Sequence, residues 1–99
     1  MKFEWNEDKN KINLIKHGID FHYAISIFLD KDRIEWEDIR KDYGENRYIT
    51  IGNVEKNLLT VVYTLRHDRY RLISARGARK DERETYYSYI ETNEQTAAR

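Results

Sequence analysis

Arg47-Tyr48-Ile49-Thr50-Ile51, Leu58-Leu59-Thr60-Val61-Val62-Tyr63-Thr64-Leu65 and Tyr70-Arg71-Leu72-Ile73-Ser74-Ala75 are the stretches that decide the fold. All three are rich in β-branched and aromatic residues, which suit a pleated, half-buried surface. Asn53 to Asn57 separates the first two as a hairpin loop, and His67-Asp68-Arg69 joins the last two. Neither connection is long enough for a crossover, so the strands should run antiparallel. A weaker alternation, Arg33-Ile34-Glu35-Trp36, adds a fourth strand and completes a meander.

Helical spacing flanks this centre. Glu7 to His17 carries Ile12, Leu14 and Ile15 as its apolar positions. Asn6 is placed as its N-cap and Gly18 as its C′ residue. A second helix is predicted over Phe21 to Leu29, capped by Asp20, with Ala24, Ile25 and Phe28 facing inward. Phe3 and Trp5 alternate with polar neighbours, as in a short strand or extended arm before the first helix. From Arg79 to Ile90 the helical period returns, with Arg83, Tyr86, Tyr87 and Ile90 at i, i+3, i+4, i+7. The expectation is an α+β fold: two N-terminal helices, an antiparallel meander of about four strands and a C-terminal helix, with the helices gathered on one side. Residues 1–91 form a single domain in this reading, and 92–99 a polar, flexible tail.

Composition narrows the function classes. The 99 residues include no cysteine, which excludes disulfides and thiolate metal sites. No apolar run approaches the ~18–20 residues of a membrane-spanning helix, so a cytoplasmic protein is expected. Four scattered glycines (Gly18, Gly44, Gly52, Gly77) make no phosphate loop, dinucleotide fingerprint or serine elbow. The net charge of zero conceals a gradient. Residues 1–45 hold eight Lys/Arg against eleven Asp/Glu, whereas residues 66–83 hold seven against three. A local cationic strip matters more than the sum when a polyanion approaches.

Within that strip, Arg66 closes the Thr60–Leu65 run and Arg76 closes Ile73-Ser74-Ala75. A guanidinium grips phosphate oxygens through a bidentate fork and never loses its proton. Since two successive antiparallel strands end at opposite ends of a sheet, convergence of Arg66 and Arg76 would need strong twist or a final helix folded back. A general acid and base must come from elsewhere, and Glu45, Glu82, His67, His17 and Tyr86 are the candidates. Tyr86 or Tyr87 beside several arginines should have a lowered pKa. For each of these, packing or plain surface is the competing reading. His17, Asp20 and His22 offer metal-ligand chemistry but not on one face. Asp30, Asp32, Glu35, Glu37 and Asp38 read as a solvated loop, so no metal site is assigned.

An ordered series of stretches resembles the BrnT toxins. It runs through Phe3-Glu4-Trp5, Lys9, Asn13, Lys16-His17-Gly18-Ile19-Asp20-Phe21, Gly44-Glu45-Asn46-Arg47, Val61-Val62-Tyr63-Thr64 with Arg66, Arg71-Leu72-Ile73-Ser74-Ala75-Arg76, and Glu82-Arg83 with Tyr86. The resemblance implies a RelE-like fold and a metal-independent endoribonuclease that suppresses translation and growth without a cofactor. It also implies neutralisation by a BrnA-type ribbon-helix-helix antitoxin, in a heterotetramer that reaches operator DNA only through the antitoxin. On that resemblance Arg66, Arg76, Tyr86 and Glu45 are the catalytic candidates, and Arg79, Arg83, Lys9 and Arg47 the RNA contacts. Gly77 departs from the family pattern, where another basic residue often follows Ala-Arg. Trp36 and Tyr43 are assigned to the face an antitoxin covers. A non-catalytic nucleic-acid or antitoxin-binding module, acting as co-repressor, is the alternative function.

Overall fold

The computed structural model describes residues 1–97, with side chains through 93. The three decisive stretches form β3 (Arg47–Val54), β4 (Asn57–Arg66) and β5 (Arg69–Gly77), an antiparallel meander. Their connections are shorter than the sequence suggested. Glu55-Lys56 (φ 49° and 71°) and His67-Asp68 (φ 50° and 65°) are two-residue turns. Two left-handed residues in succession match the right-handed twist of the flanking strands, and this lets the ladders run to their ends.

The sheet has five strands rather than four and is mixed. β2 (Ile34–Glu37) pairs antiparallel with β3, whereas β1 (Lys2–Glu4) lies parallel to β5, giving the order β1-β5-β4-β3-β2. Phe3 explains the added strand: its ring packs 5.3 Å from Phe28 and 5.6 Å from Tyr70, docking the chain start on the outer edge of β5. All the intervening elements serve as the long crossover that a parallel pair requires.

The helices lie on both faces of the sheet, not on one. Leu59, Val61, Leu72 and Ala75 point to one face and pack with Phe21, Ala24 and Ile27. Their neighbours along the pleat point to the other, where Ile51 and Leu58 meet Tyr86. The first face is covered by α2 (Phe21–Ala24), which tightens into a 3₁₀ segment over Ile25–Leu29, so the expected single helix is split. The second is covered by α3 (Lys80–Ala97), which continues through the 92–97 segment read as a tail; residues 98 and 99 lie outside the described range.

α1 (Glu7–His17) forms with the expected caps: the Asn6 side chain accepts from Lys9 N–H, and Gly18 sits at φ 72°. Its packing is the reverse of the apolar reading. Ile12 and Ile15 are 62% and 87% exposed, and the buried residue is Asn13. The Asn13 amide donates to Ala75 O (2.8 Å) and accepts from Ala75 N (3.1 Å). Since β1 pairs only with Arg69 to Arg71, Asn13 takes the place of a neighbouring strand at Ala75.

Candidate functional site

The β4–β5 register separates the two arginines that the sequence singles out. Arg66 pairs with Arg69 beside the turn, while Arg76 stands opposite Thr60. Six strand positions between Thr60 and Arg66, at roughly 3.3 Å each, amount to about 20 Å. Arg66 and Arg76 therefore do not converge on one phosphate. They do share a face. Thr60, Val62, Thr64 and Arg66 alternate onto the side that carries α3, and the irregularity at Val62/Tyr63 leaves Ile73 unpaired. That extra residue brings Arg69 and Arg71 to the same side as Arg76.

Arg76 is fixed by the first turn of α3. Its two terminal nitrogens donate to the Glu82 carboxylate at 2.7 and 2.9 Å. Glu82 also accepts from Thr60 Oγ1 (3.1 Å) and from Arg79 N–H (2.8 Å). Burial alone would raise the Glu82 pKa, but the Arg76 hydrogen bonds, the Arg79 N–H and the Arg76 charge outweigh it and hold it down to about 2. The pair is largely withdrawn from water, with side-chain exposures of 24% and 13%.

Beside this pair opens a cleft of about 280 Å³. Arg76, Arg79 and Glu82 form one wall, and Ile49, Thr60 and Val62 the floor. The opposite wall, from Trp36 to Arg40, is organised by Asp38, whose buried carboxylate receives two 2.8 Å bonds from Arg40 and one of 2.9 Å from Tyr43. The Arg40 bonds in turn pull the Asp38 pKa far below the carboxylate range. The sequence reading missed this wall by placing Asp38 in a solvated loop. Asp30, from the same group of acids, is also engaged, accepting from Tyr86 and from Asn53 N–H.

The Arg66 end is more open. Arg66 bonds Glu45 at 3.1 and 3.2 Å, and the pair is 47% and 24% exposed. Those bonds lower the Glu45 pKa, helped by Arg47 and Arg71 nearby, so Glu45 is an engaged carboxylate and a weak base. Arg71 is held by Glu4 (2.6 Å), and Arg47 stacks 4.1 Å above the Tyr43 ring with its Nε buried and unpartnered. A wider concavity of about 610 Å³ lies beyond, between the chain start and the β4–β5 turn. Lys2 and Arg69 face Glu4 and Asp68 around it.

The remaining candidates fall elsewhere. Tyr86 is 1% exposed and donates to Asp30 Oδ2 at 2.6 Å. Burial and that bond raise its pKa rather than lower it, so the expected proton carrier is a core hydrogen bond. His67 sits in the exposed turn. His17 and Lys9 lie on α1 beside Ile73 and Ser74, outside the cleft. Desolvation, then Lys16 and Arg76, lowers the His17 pKa. Arg83 is exposed on α3 and does not line the cleft. Among the described residues, no three His, Asp or Glu side chains are grouped to hold a metal ion, and no helix is long and apolar enough to cross a membrane.

A family model described as a ribonuclease toxin, BrnT, of type II toxin–antitoxin systems matches residues 5–82. That span contains both walls of the cleft and ends on Glu82. No curated protein matches the chain.

Proposed function

Because the chain belongs to the BrnT family of ribonuclease toxins of type II toxin–antitoxin systems, we propose that it is a metal-independent endoribonuclease whose scissile phosphate sits at Arg76 and Arg79. The observation that carries this reading is the bidentate Arg76–Glu82 pair at the cleft wall, a cation fixed in direction and partly desolvated.

The 2′-hydroxyl oxygen attacks the adjacent phosphorus, the P–O5′ bond breaks, and the products are a 2′,3′-cyclic phosphate and a 5′-hydroxyl. Negative charge grows on the non-bridging oxygens, where Arg76 and Arg79 face it. A fixed donor in such a position, as Arg76 is, contributes on the order of 3 kcal/mol. Neither arginine exchanges a proton, and Glu82 and Asp38 stay ionised, so the 2′-proton leaves to water and the 5′-oxygen takes one from water. RNA then extends over the open sheet face towards Arg71, Arg47 and Arg66, which contribute binding rather than chemistry.

The partner in this reading is a BrnA-type ribbon-helix-helix antitoxin in a heterotetramer, which contacts operator DNA for both proteins in the cytoplasm. The exposed Ile12 and Ile15 of α1 supply apolar surface for such a complex. The low pKa of Glu82 favours one competitor, a binding module that retains RNA without cutting it and acts as co-repressor. Purified protein incubated with RNA in EDTA separates the two. Cyclic-phosphate products support the nuclease, and a gel shift of intact RNA supports the binding module.

A further inference from the structure

Trp36 is a large apolar ring left 42% exposed on β2, the outermost strand of the sheet, at the lip of the charged cleft. Its cross-strand partner Ile49 and that residue's partner Val62 continue an apolar strip across the cleft floor. Cations stand on both sides of this strip. Arg76 is clamped by Glu82, and Arg40 is held by a buried carboxylate while its own side chain remains 73% exposed. A flat apolar surface set between guanidinium groups matches the base and the phosphates of a single nucleotide.

Resting on the RNA-cleaving reading above, we propose that Trp36 is the stacking platform of a nucleotide subsite. One nucleobase lies on the Trp36 ring, with its neighbouring phosphates shared between Arg76/Arg79 and Arg40. Stacking tolerates any base, because every base has a π-face. Trp5, the other tryptophan, lies against Phe21 and His22, outside the cleft, and serves as an internal reference.

The test uses the full chain and fluorescently labelled 2′-deoxy tetranucleotides, which lack the attacking hydroxyl and stay intact. The wild type should bind them with quenching of tryptophan emission. Trp36→Ala should weaken binding by about 10-fold and slow cleavage of RNA, since a stacked base contributes on that scale. Trp36→Phe keeps an aromatic face and should restore affinity. Circular dichroism confirms folding in each case. If wild type cuts RNA and Trp36→Ala binds and cuts as it does, the subsite is overturned and the nuclease reading stands. The subsite is overturned in the same way if Trp36→Ala loses only the antitoxin. A wild type that neither binds nor cuts RNA removes both.

Discussion

Arg66 and Arg76 close neighbouring strands on one face of the sheet, and each is bonded to a glutamate by two nitrogens. Their surroundings differ. Glu82 rises from the first turn of a helix, is bonded at the same time by Thr60 and the Arg79 N–H, and leaves its arginine little freedom. Glu45 comes from an irregular segment, and its pair with Arg66 is far more exposed. An exposed ion pair contributes roughly 0–1 kcal/mol, so an incoming phosphate exchanges with Glu45 at small cost. In the proposed function, identical chemistry serves two ends. A fixed guanidinium suits a developing charge, and a loose one suits a grip on the RNA backbone.

The largest expected effect breaks the fixed end. Arg76→Ala combined with Glu82→Gln, which avoids stranding a carboxylate, should lower ribonuclease activity by about 100-fold or more and abolish growth arrest. Retained growth arrest at matched expression would show that the charge at Arg76 is dispensable.

Acid sharpens the contrast next. Native Glu82 stays ionised down to about pH 2, whereas in the unfolded chain it takes its proton near 4.5. Its contribution, up to about 3 kcal/mol for a shift of this size, is complete above the unfolded value and drains away as pH falls from 4.5 towards 2. Denaturant titrations at pH 6 and pH 3 should show Glu82→Gln losing less stability on acidification than wild type. Equal losses would mean that the Glu82 carboxylate is not held.

Tyr86→Phe is a smaller test. Removing the bond to Asp30 should reduce stability by about 1 kcal/mol and leave cleavage untouched. A large loss of cleavage with normal stability would return Tyr86 to the chemistry. Smallest is Arg66→Ala, expected to weaken RNA binding a few-fold and to flatten its salt dependence without changing the single-turnover rate at saturating RNA. A collapse of that rate would erase the distinction between the two ends.

The meander was legible because β-branched residues cluster between short polar connections, and the family was legible because its matched residues recur in order. The tight turns were not, since Glu55-Lys56 and His67-Asp68 lack the Asn or Gly that usually marks them. β1 was legible as a short extended segment from the alternation of Phe3 and Trp5, but its pairing was not, because pairing parallel to a strand 67 positions away leaves no local pattern. The buried side of α1 was misread because that helix docks through the amide of Asn13 to a strand edge, and apolar periodicity carries no trace of this. In the site, charge marked a strip of seven cations, within which the end of a strand pointed to Arg76 and the family resemblance to Arg79. The facing wall could not, because Asp38 becomes buried only when Arg40 and Tyr43 close over it. Tyr86 was misplaced for the same kind of reason: its environment is set by Asp30, which is remote in sequence.

The most direct measurement is single-turnover cleavage, in EDTA, of a DNA oligonucleotide containing one ribonucleotide. Wild type and the Arg66→Ala variant should cut beside that ribonucleotide and leave a cyclic phosphate, while the Arg76→Ala/Glu82→Gln variant should not. Equal cutting by the Arg76 variant, or cutting of an all-deoxy strand by wild type, would contradict the assignment of the chemistry to the Arg76 cleft.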